Sequence, residues 1–234
     1  MRLLRACAAA LVLGPVLMLG ACVNKEPQER AAFIQLLQTR AAQGVFLPLP
    51  SLGGPDKDAL GDYADTYGIL TRFQSDMAAA AQPLREVLQL EALQSVEQIA
   101  QRAGDLRAAR ETLAASERAV REARERADKA RSELELPPDL APVFDGVYDE
   151  AVSAPAADFT QAAGRLDAVA RHALDIADFV AAHPAEVTLR DGQAQVDKPS
   201  LQRELNQRLE ALNAMAADLE SARGFLAAAA GPSS

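Results

Sequence analysis

The sequence predicts an all-α fold: an elongated antiparallel helical bundle with one long coiled-coil-like helix and a small β-hairpin near the C-terminus. Three observations carry this. Ile99, Leu106, Leu113, Val120, Ala127 and Leu134 recur every seven residues, the period of a helical seam. Alanine is abundant, Trp is absent and only 4% of residues are aromatic, which suits helices packed closely through small side chains. Proline and glycine cluster between the periodic stretches, where the chain must turn. No internal repeat of fixed period is present, which disfavours a solenoid.

The elements follow in order. Residues 27–43 read as a helix, with Phe33, Ile34, Leu36 and Leu37 on its apolar face, Pro27 in its first turn and Glu26 and Glu29 at its N-terminal end. The stretch "GVFLPLPSLGGPDKD" breaks it and forms a loop, with Phe46 and Leu49 tucked against the body. A second helix is expected over 57–81, where Leu60, Tyr63, Tyr67, Leu70 and Phe73 step by three or four. Pro83 starts a third helix or kinks the second.

Residues 84–136 carry the longest uninterrupted helical pattern, with Gly104 as the place where a bend is expected. Ala109, Ala123 and Ala130 fall three residues after seam positions and complete an alanine-rich heptad. Glu117–Arg121, Glu122–Arg126 and Glu125–Lys129 are Glu-first pairs of a solvated face, each worth ~0.3 kcal/mol. The seam residues Leu106, Leu113 and Val120 are expected to be buried within the chain rather than against a partner.

Pro137-Pro138 ends that helix. Pro142, Val143, Phe144, Val147 and Tyr148 give a short apolar helix, and after Ala154-Pro155 another is expected over 157–182, with Phe159, Leu166, Val169, Ala173, Ile176 and Val180 inward. His183-Pro184 stops it. In "EVTLRDGQAQV" the period changes to two, and Asp191-Gly192 is a hairpin turn that sets Leu189 opposite Ala194 and Val187 opposite Val196. A last helix over 199–229 carries Leu201, Leu205, Leu209, Leu212 and Leu219, and 230–234 is expected to be a disordered tail. The helical domain is thus 27–229, with the hairpin at about 186–197.

The front of the chain has a different character. Arg2 and Arg5 precede an apolar run from Ala6 to Leu19, shorter than the ~20 residues of a membrane-spanning helix. The run ends in Leu19-Gly20-Ala21-Cys22, an aliphatic residue, two small residues and a cysteine, which is the pattern of a bacterial lipobox. The Cys22 thiol would take a diacylglyceryl group, the small residues would fit the peptidase that cuts before it, and the new amine could be acylated. Residues 1–21 are then a lipoprotein signal peptide and 22–26 a lipidated polar tether. One acyl chain anchors only reversibly, whereas a triacylated cysteine is a stable anchor. Val23 stands where Asp would retain such a protein at the inner membrane in many diderm bacteria, so the outer membrane, facing the periplasm, is expected.

Removing the leader also removes Cys7, Arg2 and Arg5. The 213 residues that remain hold 22 basic and 33 acidic side chains, a net charge of −11, and no cysteine but the blocked Cys22. A disulfide framework, a thiolate zinc site and a cysteine nucleophile are therefore excluded. An acidic chain with no basic patch is a poor nucleic-acid binder.

Candidate chemistry is sparse. Asp58, Asp62 and Asp65, at i, i+4 and i+7, could share a helix face and hold a hard cation, but no glycine-centred loop accompanies them, and a solvated acidic face is favoured. His172 and Asp175 could form an acid–base pair at i, i+3, although no nucleophile accompanies them. His183 suits a helix-capping role. Tyr63, Tyr67 and Phe73 could line a ligand groove, with core packing favoured. No phosphate loop or metal-spaced histidine cluster is present, and neither a cofactor nor a metal is expected.

Several stretches together resemble a known family. "NKEPQERAAFIQLLQ" follows the lipobox, "YGILTRF" and "PLREV" follow in turn, and "DLAPVFDGVYDEAVSAPA" is the most distinctive, with the hairpin and final helix in the same order. The arrangement resembles the YiaF-like lipoprotein family, built on domain of unknown function 3053, over residues 22 to about 223. The resemblance implies a lipid-anchored, mostly helical envelope protein and brings no catalytic residues. The expected function is that of a non-enzymatic interaction or structural module, with the membrane as one partner through Cys22 and an envelope protein or the cell wall as another. The alternative is a ligand-binding carrier or small hydrolase with a pocket between helices. An apolar groove with converging polar groups would favour the alternative.

Overall fold

The computed structural model describes residues 24–43, 49–88, 95–190 and 192–230. The leader, Cys22, Phe46 and Asp191 lie outside the described residues. Helix α1 (Glu26–Gln43) starts where Asn24 Oδ1 accepts the Glu26 amide at 3.1 Å, with Glu26 and Glu29 in its first turn, and it buries Phe33 and Leu37. The expected loop is shorter than the sequence suggested. Helix α2 (Gly54–Leu60) begins within it, with Pro55 in its first turn.

The single helix expected over 57–81 is two. Gly61 stands at φ 54°, ψ −130°, which only glycine adopts readily, and it ends α2 before α3 (Tyr63–Ala81) begins. Leu49, expected to tuck against the body, is buried. Helix α4 (Leu84–Leu88) follows Pro83.

The long helix is also divided. Ser95 Oγ accepts the Gln98 amide at 3.2 Å and caps α5 (Val96–Gln101), and Arg102 at φ −99°, ψ 16° separates α5 from α6 (Ala103–Ser132). The bend thus falls two residues before Gly104. At 30 residues, α6 is about 45 Å long. Its seam is buried at Leu106, Ala109, Leu113, Val120, Ala123 and Ala127, with Ser116 between Ala109 and Ala123. The helix ends at Ser132 rather than 136, so Leu134 lies beyond it, and Ala130 and Leu134 are only half-buried. The three Glu-first pairs do not close. Instead Arg126 reaches Asp76 on α3 at 2.8 Å and Lys129 reaches Glu133 at 3.9 Å.

The break expected at Ala154-Pro155 does not occur. Helix α7 (Ala141–Tyr148) runs through a π-turn (Asp149–Ser153) straight into α8 (Ala154–Ala182). Pro155 has no amide to donate and its ring crowds the carbonyl four residues earlier. The wider turn, in which the Ala154 amide bonds the Asp149 carbonyl, lets the helix pass the proline without stopping.

Strands β1 (Val187–Arg190) and β2 (Gln193–Val196) pair antiparallel in the expected register, Val187 with Val196 and Leu189 with Ala194. The last helix is two, α9 (Pro199–Asn213) and α10 (Ala216–Ala229), separated by a turn at 214–215, and Leu205 and Leu226 belong to separate apolar clusters. Ala230, which the sequence placed in the tail, is buried, and its carbonyl accepts bonds from Gln82 and Arg85 at 2.9 and 2.6 Å. Residues 231–234 lie outside the described residues.

Ion pairs show that neighbours run antiparallel. Arg107, Arg110 and Arg131 meet Asp178, Asp167 and Asp145, and Arg208 and Asp218 meet Asp175 and Arg165. Two apolar clusters result. One gathers α1, α3, α7, α10 and the halves of α6 and α8 around Leu113 and Leu166. The other gathers α5, the hairpin, α9 and the opposite ends of α6 and α8 around Leu106 and Ile176.

Candidate functional site

The two clusters do not merge fully. Where they meet, a cavity of about 250 Å³ opens between α6, α8 and the α9–α10 junction. Leu106, Ala109 and Leu113 form one wall, and Leu166, Val169, Ala170 and Ala173 a second. Leu212, Met215 and Leu219, around the turn after Asn213, form the third. The space follows from residue size: on the facing helices the lining positions 109, 170 and 173 are alanines. Arg102, Asp105 and Arg223 bring charge to the lining, and Arg102 Nε pairs with Asp105 at 3.3 Å. A second, more open groove of about 410 Å³ lies between α5, the hairpin and α9.

The residues singled out from the sequence do not gather at this cavity. Asp58 lies on α2, Asp62 in the turn and Asp65 on α3, all exposed, so Gly61 undoes the shared face that their spacing suggested. Among the described residues no group of three side chains is placed to hold a metal ion. His172 and Asp175 are both exposed, and Asp175 is turned to Arg208 Nε at 3.0 Å. His183 caps α8: its Nδ1 lies 2.8 Å from the Phe179 carbonyl, and its ring sits 4.6 Å from that of Phe179. Arg208 covers the Phe179 ring at 4.7 Å.

The aromatic set belongs to the core. Tyr67 and Phe73 are buried, and the Tyr67 hydroxyl donates to the Pro50 carbonyl at 3.1 Å. Tyr63 stacks on Phe33 at 5.4 Å and donates to Glu26 at 2.7 Å. Burial first, and then the hydrogen bond to Glu26, push the Tyr63 hydroxyl up to about 12. Tyr148 donates to Asp128 at 2.7 Å under the guanidinium of Arg131, and burial and that carboxylate raise its pKa too.

The cavity's walls were each visible in the sequence as apolar positions of separate helices. Their meeting was not, because it depends on the undetected break after Asn213.

A family model matches residues 9–226, nearly the whole chain, and its description is "Protein of unknown function (DUF3053)". The chain belongs to this family. It is also similar to "Uncharacterized protein YiaF" of Escherichia coli K12 and to the protein of the same name in Shigella flexneri, 31% identical to each over 150 residues. Those residues are 63% of this chain and 62% of each relative, so the chain is matched over less than two thirds of the curated relatives' length. No solved structure matches it. The resemblance drawn from the sequence motifs is thereby established for this DUF3053 chain.

Proposed function

We propose that this DUF3053 chain is a non-enzymatic lipoprotein of the bacterial envelope, acylated at Cys22 and held at the outer membrane facing the periplasm. The observation that carries this reading is the join between anchor and body. The lipobox cysteine stands four residues before Glu26, where α1 begins. Four residues span at most about 14 Å, so the acyl chains would hold the domain directly against the bilayer. The family match supports the reading because it begins at residue 9, inside the apolar run, and so includes the lipobox. Among the described residues no helix is long and apolar enough to cross a membrane.

The Cys22→Ser change tests it. Metabolic labelling with a fatty acid should mark the parent and not the mutant, and the mutant should leave the membrane fraction. Equal label in both would sink the reading.

Within that setting two roles compete. The seam of α6 is used inside the chain, so a partner protein or the cell wall would have to meet other faces. The apolar cavity with charge in its lining favours the second role, a ligand carrier, over a purely structural module. It favours a carrier over a hydrolase because the acid–base pair suggested by His172 and Asp175 faces solvent elsewhere.

A further inference from the structure

We propose that the cavity between α6, α8 and the α9–α10 junction binds one alkyl chain of about ten carbons that ends in an anionic head group. This rests on the carrier reading and names its ligand. Size sets the chain. An apolar cavity of ~150 Å³ holds the six carbons of benzene, so on the same scale 250 Å³ holds about ten. Two acyl chains would not fit.

The walls set the polarity. Leucines, alanines, two valines and a methionine make up most of the lining. Its only polar side chains are Arg102, Asp105, Asn213 and Arg223, too few to replace the many hydrogen bonds to water that a sugar or nucleotide would lose there. Ala109, Ala170 and Ala173 make the space a slot between α6 and α8, which suits an unbranched chain.

The charges of the lining set the head group. Arg102, Asp105 and Arg223 sum to one positive charge, in a protein whose net charge is −9. Both arginines are engaged within the chain, Arg102 with Asp105, so they offer local potential rather than an open hydrogen-bonding fork. Position sets the source. Ala109 lies about 35 Å along α6 from its C-terminal end at Ser132, and the segment after Ser132 carries Asp139, the partner of Arg30 on α1. An anchor just before α1 would keep the cavity away from the bilayer. The ligand is therefore a free single-chain carboxylate rather than a membrane phospholipid.

The test uses the full chain in its host membranes, exposed to a photoreactive ten-carbon carboxylate and to the matching neutral alcohol. The expected result is saturable labelling by the acid that maps to residues 106–113, 166–173 and 212–219. Excess decanoate should remove it, and the alcohol should label at least fivefold less. Val169→Phe, which fills the slot, should cut labelling about tenfold. Arg102→Glu leaves the apolar walls untouched, and it should weaken labelling by the acid while sparing the alcohol. Label that rises linearly with probe, or that maps to other helices, overturns the proposal. Equal labelling by acid and alcohol overturns the anionic head group. Membrane fractionation of the same samples reads the Cys22 anchor separately, so failure of one reading is distinguishable from failure of the other.

Discussion

The backbone amide of Gly192 donates to the carboxylate of Glu97 at 2.9 Å, so the tip of the hairpin is tied to α5 across 95 residues of sequence. Gly192 stands at φ 78°, and a Cβ built on it would meet Ser95 Cβ at an ordinary 3.5 Å. Space is available and backbone conformation is the constraint. Gly192→Val should therefore cost about 1–3 kcal/mol from backbone strain. Gly192→Asn should cost less, because Asn tolerates positive φ. Denaturant unfolding checks both, and a valine variant as stable as the parent would remove the strain argument.

Gly61 makes the same demand in a harsher region. At φ 54°, ψ −130° its backbone is closed to other residues, and the Glu29 carboxyl occupies the space of an added Cβ. Gly61→Ala should lose about 1–3 kcal/mol. Glu29 is a flexible side chain that can swing away, so Glu29→Ala in the same background should recover little. Full recovery by that second change would assign the cost to the side-chain clash instead.

Leu113 is 2% exposed and stands where the seam of α6 enters the larger cluster. Leu113→Ala should cost about 2–5 kcal/mol, as buried leucines do. The loss should be the same at two widely spaced protein concentrations, because the seam is satisfied inside the chain. A midpoint that rises with concentration in the parent alone would mean that the seam serves a second copy.

Tyr63 predicts an alkaline effect. Its folded pKa of about 12 lies above the ordinary 10, so the folded state holds the proton more tightly. The stabilisation is complete below pH 10 and is lost as pH rises towards 12. Tyr63→Phe should make stability fall less steeply between pH 10 and 12. Tyr67 and Tyr148 are also raised, so part of the slope should remain. An unchanged slope would show that Tyr63 does not hold its proton.

The legible parts of this fold were those governed by local chemistry. The hairpin register follows from period-two alternation around one turn, and the α6 seam from a seven-residue repeat. The capping role of His183 follows from its place before Pro184. Apart from the three Glu-first pairs on α6, the misread parts were junctions. A glycine within an apolar-periodic run, such as Gly61, does not announce a positive φ. The chain just after Asn213 carries no glycine or proline, so nothing local marks the turn at 214–215. Pro155 misled in the opposite direction, since a π-turn carried the helix past it. The cavity was hidden for the same reason, as its third wall depends on such a junction.

That π-turn bears on how the chain tolerates insertions and deletions. It absorbs one residue beyond the α-helical count, and the buried position moves from Pro155 to Ala156, so Phe144 and Phe159 still face the same cluster. Deleting one residue from 149–153 would return the ladder to α spacing and keep both phenylalanines in phase. It would also press the Pro155 ring against the carbonyl one turn before it, at about 3 kcal/mol. The extra residue should therefore be removable far more readily when Pro155 is replaced by Ala at the same time than on its own.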